Sequence, residues 1–100
     1  MSAIGEVLDR LFETLEERKA TLPEGSYTAA LLQAPQDKLL SKLAEETGEV
    51  IVAARDAETG AGGAEALRYE VADLVYHLLV VLLRAGLTLD DLSEELASRA

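Results

Sequence analysis

Two short acidic motifs hold the residues of this chain best suited to chemistry. One reads Glu45-Glu46-Thr47-Gly48-Glu49 and the other Glu70-Val71-Ala72-Asp73. Glu46 and Glu49 are three residues apart, and so are Glu70 and Asp73. Residues three apart share one face of a helix. Two such pairs on facing helices bring four carboxylates around a single point. So much negative charge is unfavourable unless a cation sits among them, because neighbouring carboxylates resist ionising together. Oxygen ligands of this kind suit a hard cation. The spacing therefore predicts a Mg²⁺ site, and with it a phosphate-bearing substrate.

The neighbouring residues allow more than one reading. At about 100° per residue, Lys38, Lys42, Glu45, Glu46, Glu49 and Asp56 fall within roughly a third of the helix circumference. On the second acidic helix Glu70, Asp73, His77 and Arg84 form a narrow stripe, with Val71, Val75, Leu78, Leu79 and Leu82 on the other sides. Acidic stripes are commonly solvated faces laced by pairs such as Lys42/Glu46. Here Glu45, Glu46 and Glu49 cluster with few basic neighbours, and the second pair recurs on the most apolar segment. His77 suits either a hydrogen-bonded core position or a role as ligand or base. Tyr69 and Tyr76 suit packing with a polar tip. Ser26 and Tyr27 mark a helix start or a substrate contact. Arg18 and Lys19 either complement a helix C-terminus or reach a polyphosphate.

Composition bounds the rest. The chain has 100 residues, 49% of them apolar, which fits a single domain spanning residues 1–100. The net charge of −10 argues against nucleic acid and anionic membranes as partners. There are no cysteines, so disulfides and thiol chemistry are excluded. No signal peptide is visible. The longest apolar run, Leu78 to Leu83, is far shorter than the roughly 20 residues of a membrane span. A soluble, cytoplasmic protein is expected. That same run exceeds what one helix stripe needs, and we read the surplus as a subunit interface, in a homodimer or larger homo-oligomer.

The elements that must position these residues are helices. Ile4, Val7, Leu8, Leu11, Phe12 and Leu15 set a 3.6-residue period over residues 2–20, with Ser2 placed to cap it. Thr21 to Gly25 breaks that helix, and Ser26 begins one or two further turns. A long helix is expected from near Pro35 to about Glu58. Its apolar face would carry Leu39, Leu43, Val50 and Ala54, widened by Leu40 and Ile51. Gly60 to Gly63 makes a flexible turn before a helix over residues 64–84, stopped by Gly86. Thr88 and Asp91 form a capping box for a short last helix. No strand-period segment is present. The fold class expected is all-α: an antiparallel bundle of four to five helices, completed by homo-oligomerisation.

Longer stretches carry a resemblance. They are Leu8-Asp9-Arg10-Leu11, Glu17-Arg18-Lys19, Ser26-Tyr27-Thr28, Lys42-Leu43-Ala44-Glu45-Glu46 with Glu49-Val50, and Tyr69 through Leu79. The chain resembles the phosphoribosyl-ATP pyrophosphatase family of histidine biosynthesis, within the all-α nucleoside-triphosphate pyrophosphatases related to MazG and dimeric dUTPases. The paired acidic motifs mark the wider superfamily. Ser26-Tyr27-Thr28 and the segment Ala72-Asp73-Leu74-Val75-Tyr76-His77 are more specific to the histidine branch. Gly48 departs from the pattern, since a better helix former is usual inside the first motif. It should cost about 1 kcal/mol relative to Ala.

The resemblance implies hydrolysis of the α–β phosphoanhydride of 1-(5-phosphoribosyl)-ATP, giving 1-(5-phosphoribosyl)-AMP and pyrophosphate. It implies an ATP-like nucleotide substrate, Mg²⁺ held by Glu46, Glu49, Glu70 and Asp73, and a stand-alone homodimeric enzyme. Glu45, beside the ligands, would accept a proton from the attacking water, with Glu49 able to share that role. Lys42 and Lys38 would contact phosphate oxygens as point charges. Two other functions remain open at this level. One is a house-cleaning pyrophosphatase of broad nucleotide range, and the other a non-catalytic helical dimerisation module.

Overall fold

The computed structural model describes all residues from Met1 to Ala100 and consists of five helices with no strand, the expected all-α class. In chain order these are α1 (Ile4–Thr21), α2 (Tyr27–Gln33), α3 (Gln36–Thr59), α4 (Ala64–Arg84) and α5 (Leu89–Ala97). The long helices begin and end within a few residues of the positions set by apolar period and turn residues. Pro35 sits just before α3, where a fixed φ and a missing N–H cost nothing. Gly60 (φ 83°) and Gly86 (φ 81°) take left-handed conformations after α3 and α4, which a residue with a Cβ resists. The capping box forms as expected: the Asp91 N–H donates to Thr88 Oγ1 and the Thr88 N–H donates to Asp91 Oδ2. Ser2 does not cap α1. Ala3 precedes that helix with φ −90° and ψ 21°, away from the extended conformation of a capping residue, and no side chain bonds the first turn.

The helices cluster into two compact units. One comprises Met1–Gln33 and Val80–Ala100. Its core is Phe12 and Leu15 from α1, Ala29 and Leu31 from α2, and Val80 and Leu83 from the end of α4. Two basic side chains cap helix ends inside this unit. Lys19 Nζ donates to the Leu83 carbonyl at 3.4 Å, and Arg84 Nη1 donates to the Leu31 carbonyl at 2.9 Å. Carbonyls in the last turn of a helix lack intrahelical partners, so a cation there supplies both a bond and a favourable charge.

The other unit, Ala34–Leu79, holds α3 and the first part of α4. The Gly60–Gly63 turn reverses the chain, fastened by the Gly62 N–H donating to the Asp56 carbonyl at 3.1 Å. Burial on α3 departs from the apolar face expected of it. Leu39 is buried and Leu43 and Val50 are half-buried, but Leu40 and Ile51 are 44% and 62% exposed. Glu46 is buried instead, at 3% exposure. On α4, Leu79, Val80 and Leu83 are buried and Val81 and Leu82 half-buried, so the run from Leu78 is mostly consumed in covering the protein's own interior. The exposed apolar surface of this unit is Leu78 of that run together with Leu40, Ile51, Val52, Tyr69 and Val71.

Candidate metal centre

Helix α3 presents Glu46 and Glu49 on one face, and α4 returns past it with Glu70 and Asp73. One carboxylate oxygen from each of the four lies within 4.8 Å of the others. Opposed ligands of an octahedral Mg²⁺, each about 2.1 Å from the ion, stand about 4.2 Å apart. The four oxygens are thus close to the spacing of one coordination shell.

Two details show that this arrangement fits a cation. Glu46 is buried, its Oε1 takes an ion pair from Lys42 Nζ at 3.3 Å, and its Oε2 has no hydrogen-bond partner. Glu70 Oε2 is buried and without a partner too. A buried polar atom with no partner is rare and costs on the order of 1–3 kcal/mol. Two such atoms in one four-carboxylate cluster are oxygens that a cation could take as ligands.

The electrostatics agree. The pKa of Glu49 is raised, first by a hydrogen bond with Glu70, then by desolvation and by the negative charge of Glu70. A bond between two carboxyl groups requires a proton on one of them. A cation among the carboxylates would relieve the same repulsion. A hydrogen bond with Glu46 acts in the opposite direction on Glu49, and the charge of Glu45 adds to the rise. Lys42 lies 3.6 Å from Glu45 and 3.3 Å from Glu46. The Lys42/Glu46 pair anticipated for a solvated face does form, but with a carboxylate that is almost fully buried, which no ordinary surface pair shows.

His77 joins the cluster from the next turn of α4. One of its ring nitrogens and carboxylate oxygens of Glu46 and Asp73 lie within 4.8 Å of one another. The ring is buried at 3% exposure, its Nδ1 is 2.7 Å from the Asp73 carbonyl, and its edge meets the Tyr76 ring at a centroid distance of 5.0 Å.

A groove of about 580 Å³ adjoins the carboxylates, with Glu45, Glu49 and Glu70 among its lining residues. Val52, Ala53 and Ala66 give it an apolar wall, and Gly48, Gly62 and Gly63 keep it free of side-chain bulk. A Cβ on Gly48 would meet nothing within 4 Å. This apolar part of the site escaped the sequence reading. The signal is present in the sequence, since Glu45, Glu49, Val52 and Asp56 recur at helical spacing on one face, but glycines in a sequence mark a weak point or a turn and do not by themselves show a groove.

The remaining candidates are placed as follows. Glu45 lines the groove with its side chain 59% exposed. Lys38 is exposed in the first turn of α3. Arg18, Lys19, Ser26 and Tyr27 belong to the unit without the carboxylates. There Arg18 pairs with Glu17 at 3.3 Å, Lys19 caps α4, and Ser26 Oγ accepts from the Ala29 N–H at 3.1 Å to start α2. Tyr27 is 51% exposed.

Comparison with known proteins reaches nearly the whole chain. Residues 8–100 match the family described as phosphoribosyl-ATP pyrophosphohydrolase. The chain is 50% identical over 97 residues to a phosphoribosyl-ATP pyrophosphatase of Haloarcula marismortui, covering 95% of this chain and 94% of that protein. It is 49% identical over 92 residues to the phosphoribosyl-ATP pyrophosphatase of Limosilactobacillus fermentum, covering 92% and 82% respectively. It also matches the histidine biosynthesis bifunctional protein HisIE of Thermus thermophilus, at 45% identity over 96 residues, which is 96% of this chain and 42% of that longer protein.

Proposed function

The chain belongs to the phosphoribosyl-ATP pyrophosphohydrolase family, a family of hydrolases, and on that footing we propose that it cleaves the α–β phosphoanhydride of 1-(5-phosphoribosyl)-ATP. The products are 1-(5-phosphoribosyl)-AMP and pyrophosphate, and the reaction is the second step of histidine biosynthesis. The observation that carries this reading is the cluster of Glu46, Glu49, Glu70 and Asp73, with two buried oxygens that have no protein partner.

In this proposal the four carboxylates hold Mg²⁺. When bound, the ion offsets charge on the phosphate oxygens and on the departing pyrophosphate. Glu45 stands outside the four-carboxylate set and borders the groove. That position suits it to accept a proton from the attacking water, and Glu49 is the alternative acceptor. Lys42 is held beside Glu45 and Glu46. Its ammonium group is compact and mobile, so it can turn to phosphate oxygens when the carboxylates take up a cation. Lys38, one helical turn earlier, adds a second positive charge for the same chain of phosphates. Val52, Ala53 and Ala66 give the groove beside the carboxylates an apolar wall.

The reading extends to the state of the protein. We propose a cytoplasmic homodimer in which residues 1–100 act as one domain. The unbroken family match over residues 8–100 supports the single domain. Exposed Leu40, Ile51, Val52, Tyr69, Val71 and Leu78 supply an apolar surface for a second copy. No single helix is long and apolar enough to cross a membrane.

The test is pyrophosphate release from phosphoribosyl-ATP with Mg²⁺ and again with EDTA. Rapid release that EDTA abolishes, with little from ATP or dUTP, is the expected result. Comparable turnover of common triphosphates would move the protein to a house-cleaning role. Silence on every triphosphate from a folded sample would leave only a binding module.

A further inference from the structure

Glu46 and Asp73 belong to two overlapping groups. One is the all-oxygen set completed by Glu49 and Glu70, and the other is completed by the imidazole of His77. We propose that the second group is a distinct binding mode for a divalent transition-metal ion, represented by Zn²⁺, which excludes Mg²⁺ by taking two of its ligands. The inference rests on the carboxylate cluster being a metal site.

Three observations carry it. First, Asp73 and His77 are four residues apart on α4, so their side chains share a face, and a ring nitrogen of His77 lies within 4.8 Å of carboxylate oxygens of both Asp73 and Glu46. Second, His77 Nδ1 is 2.7 Å from the Asp73 carbonyl. A carbonyl oxygen only accepts, so this contact requires a proton on Nδ1, and in the neutral ring the lone pair is then on Nε2. Histidines that bind metals almost always donate their other ring N–H to a carboxylate or a backbone carbonyl, which fixes tautomer and ring orientation. Third, Glu46 Oε2 is buried and has no hydrogen-bond partner. An entering ion could take it as a ligand.

Ligand chemistry then decides which ion each group prefers. Mg²⁺ favours carboxylate, carbonyl and water oxygens, whereas imidazole suits Zn²⁺ and its transition-metal neighbours, which also bind mixed nitrogen and oxygen sites more tightly. One imidazole with two carboxylates is a Zn²⁺-type donor set. Four carboxylates with no nitrogen are a Mg²⁺-type set. Because Glu46 and Asp73 are common to both, Zn²⁺ held by His77 removes half of the Mg²⁺ ligands. Zn²⁺ thereby acts as a competitive antagonist of Mg²⁺.

His77 is the single histidine of the chain, so its imidazole nitrogens give unambiguous NMR signals. The experiment records them on tag-free, metal-free protein, then with Mg²⁺ and with Zn²⁺, beside calorimetric titrations of both ions into the wild type, His77→Gln and Glu70→Gln. The Nδ1–H tautomer is expected in the metal-free protein. Zn²⁺ should displace the Nε2 resonance while Mg²⁺ leaves it near its starting position. His77→Gln should weaken Zn²⁺ binding by at least about tenfold and change Mg²⁺ binding far less. Glu70→Gln should do the reverse. An Nε2 signal indifferent to bound Zn²⁺ overturns the inference even if His77→Gln fails to fold. Mg²⁺ binding to the wild type tests the carboxylate cluster separately, and a protein that binds neither ion defeats both readings.

Discussion

At the scale of single residues, the carboxylate cluster sets stability against function. In the metal-free protein the neighbouring Glu70 raises the pKa of Glu49, and Glu70 Oε2 is buried without a partner. Glu70→Gln removes one charge and gives Glu49 an amide donor. Thermal melts should therefore show metal-free Glu70→Gln several degrees more stable than the wild type, on the scale of about 4–8 °C per kcal/mol for a chain of this size. The same variant should lose its Mg²⁺-induced stabilisation and its turnover. A variant that keeps near-normal activity at limiting Mg²⁺ removes Glu70 from the ligand set. The raised pKa of Glu49 adds a pH dependence. Over the window between the unfolded and folded values, the folded metal-free protein holds a proton that the unfolded chain has released. This contribution to stability is complete below the unfolded value and is lost as pH rises through the folded one. A metal competes for the same oxygens, so Mg²⁺ affinity should climb with pH through that window. Titrations at a series of pH values check the sign, and a flat or falling affinity contradicts it.

At the scale of elements, glycines at different backbone conformations have opposite consequences. Gly48 lies inside α3, and a Cβ there would meet no atom within 4 Å. Gly48→Ala should therefore stabilise the helix by about 1 kcal/mol. The added methyl lies along the groove, so KM for the nucleotide should rise. Gly60 closes α3 at φ 83°. Gly60→Ala places a Cβ in the left-handed region and should cost about 1–2 kcal/mol. Paired melting curves test the contrast. Two shifts of the same sign would show that space at these sites matters more than backbone conformation. The left-handed glycine is the place where α3 stops and the chain turns back with the second pair of acids.

At the scale of the whole molecule, the proposed homodimer would cover apolar side chains that this chain leaves exposed. Ile51 is 62% exposed on a helix whose opposite side buries a carboxylate. An isolated helix gains nothing from that inversion. A helix covered on its outer side by another subunit, and on its inner side by its own acids with their ion, satisfies both faces. Ile51→Lys should shift the protein from dimer to monomer in light scattering while preserving its helical circular dichroism. A wild type that is monomeric at micromolar concentration removes the interface.

The amino-acid sequence by itself determined the helices and the identity of the acids. Apolar period, Pro35, Gly60, Gly86 and the Thr88/Asp91 box are local signals, and local backbone physics reads them without help from distant residues. The spacing Glu46/Glu49 and Glu70/Asp73 is local as well, which is why the carboxylate set was legible before any fold. Only the tertiary structure decided what those helices turn inward. A period shows that a helix has two faces but not which of them a neighbouring helix will cover. On α3 the answer went against hydropathy, burying Glu46 and exposing Ile51. The same holds for His77, whose local sequence suits a core residue and a ligand equally. Its nearness to Glu46 arises because α4 returns past α3, a juxtaposition of residues 31 positions apart that no local pattern encodes.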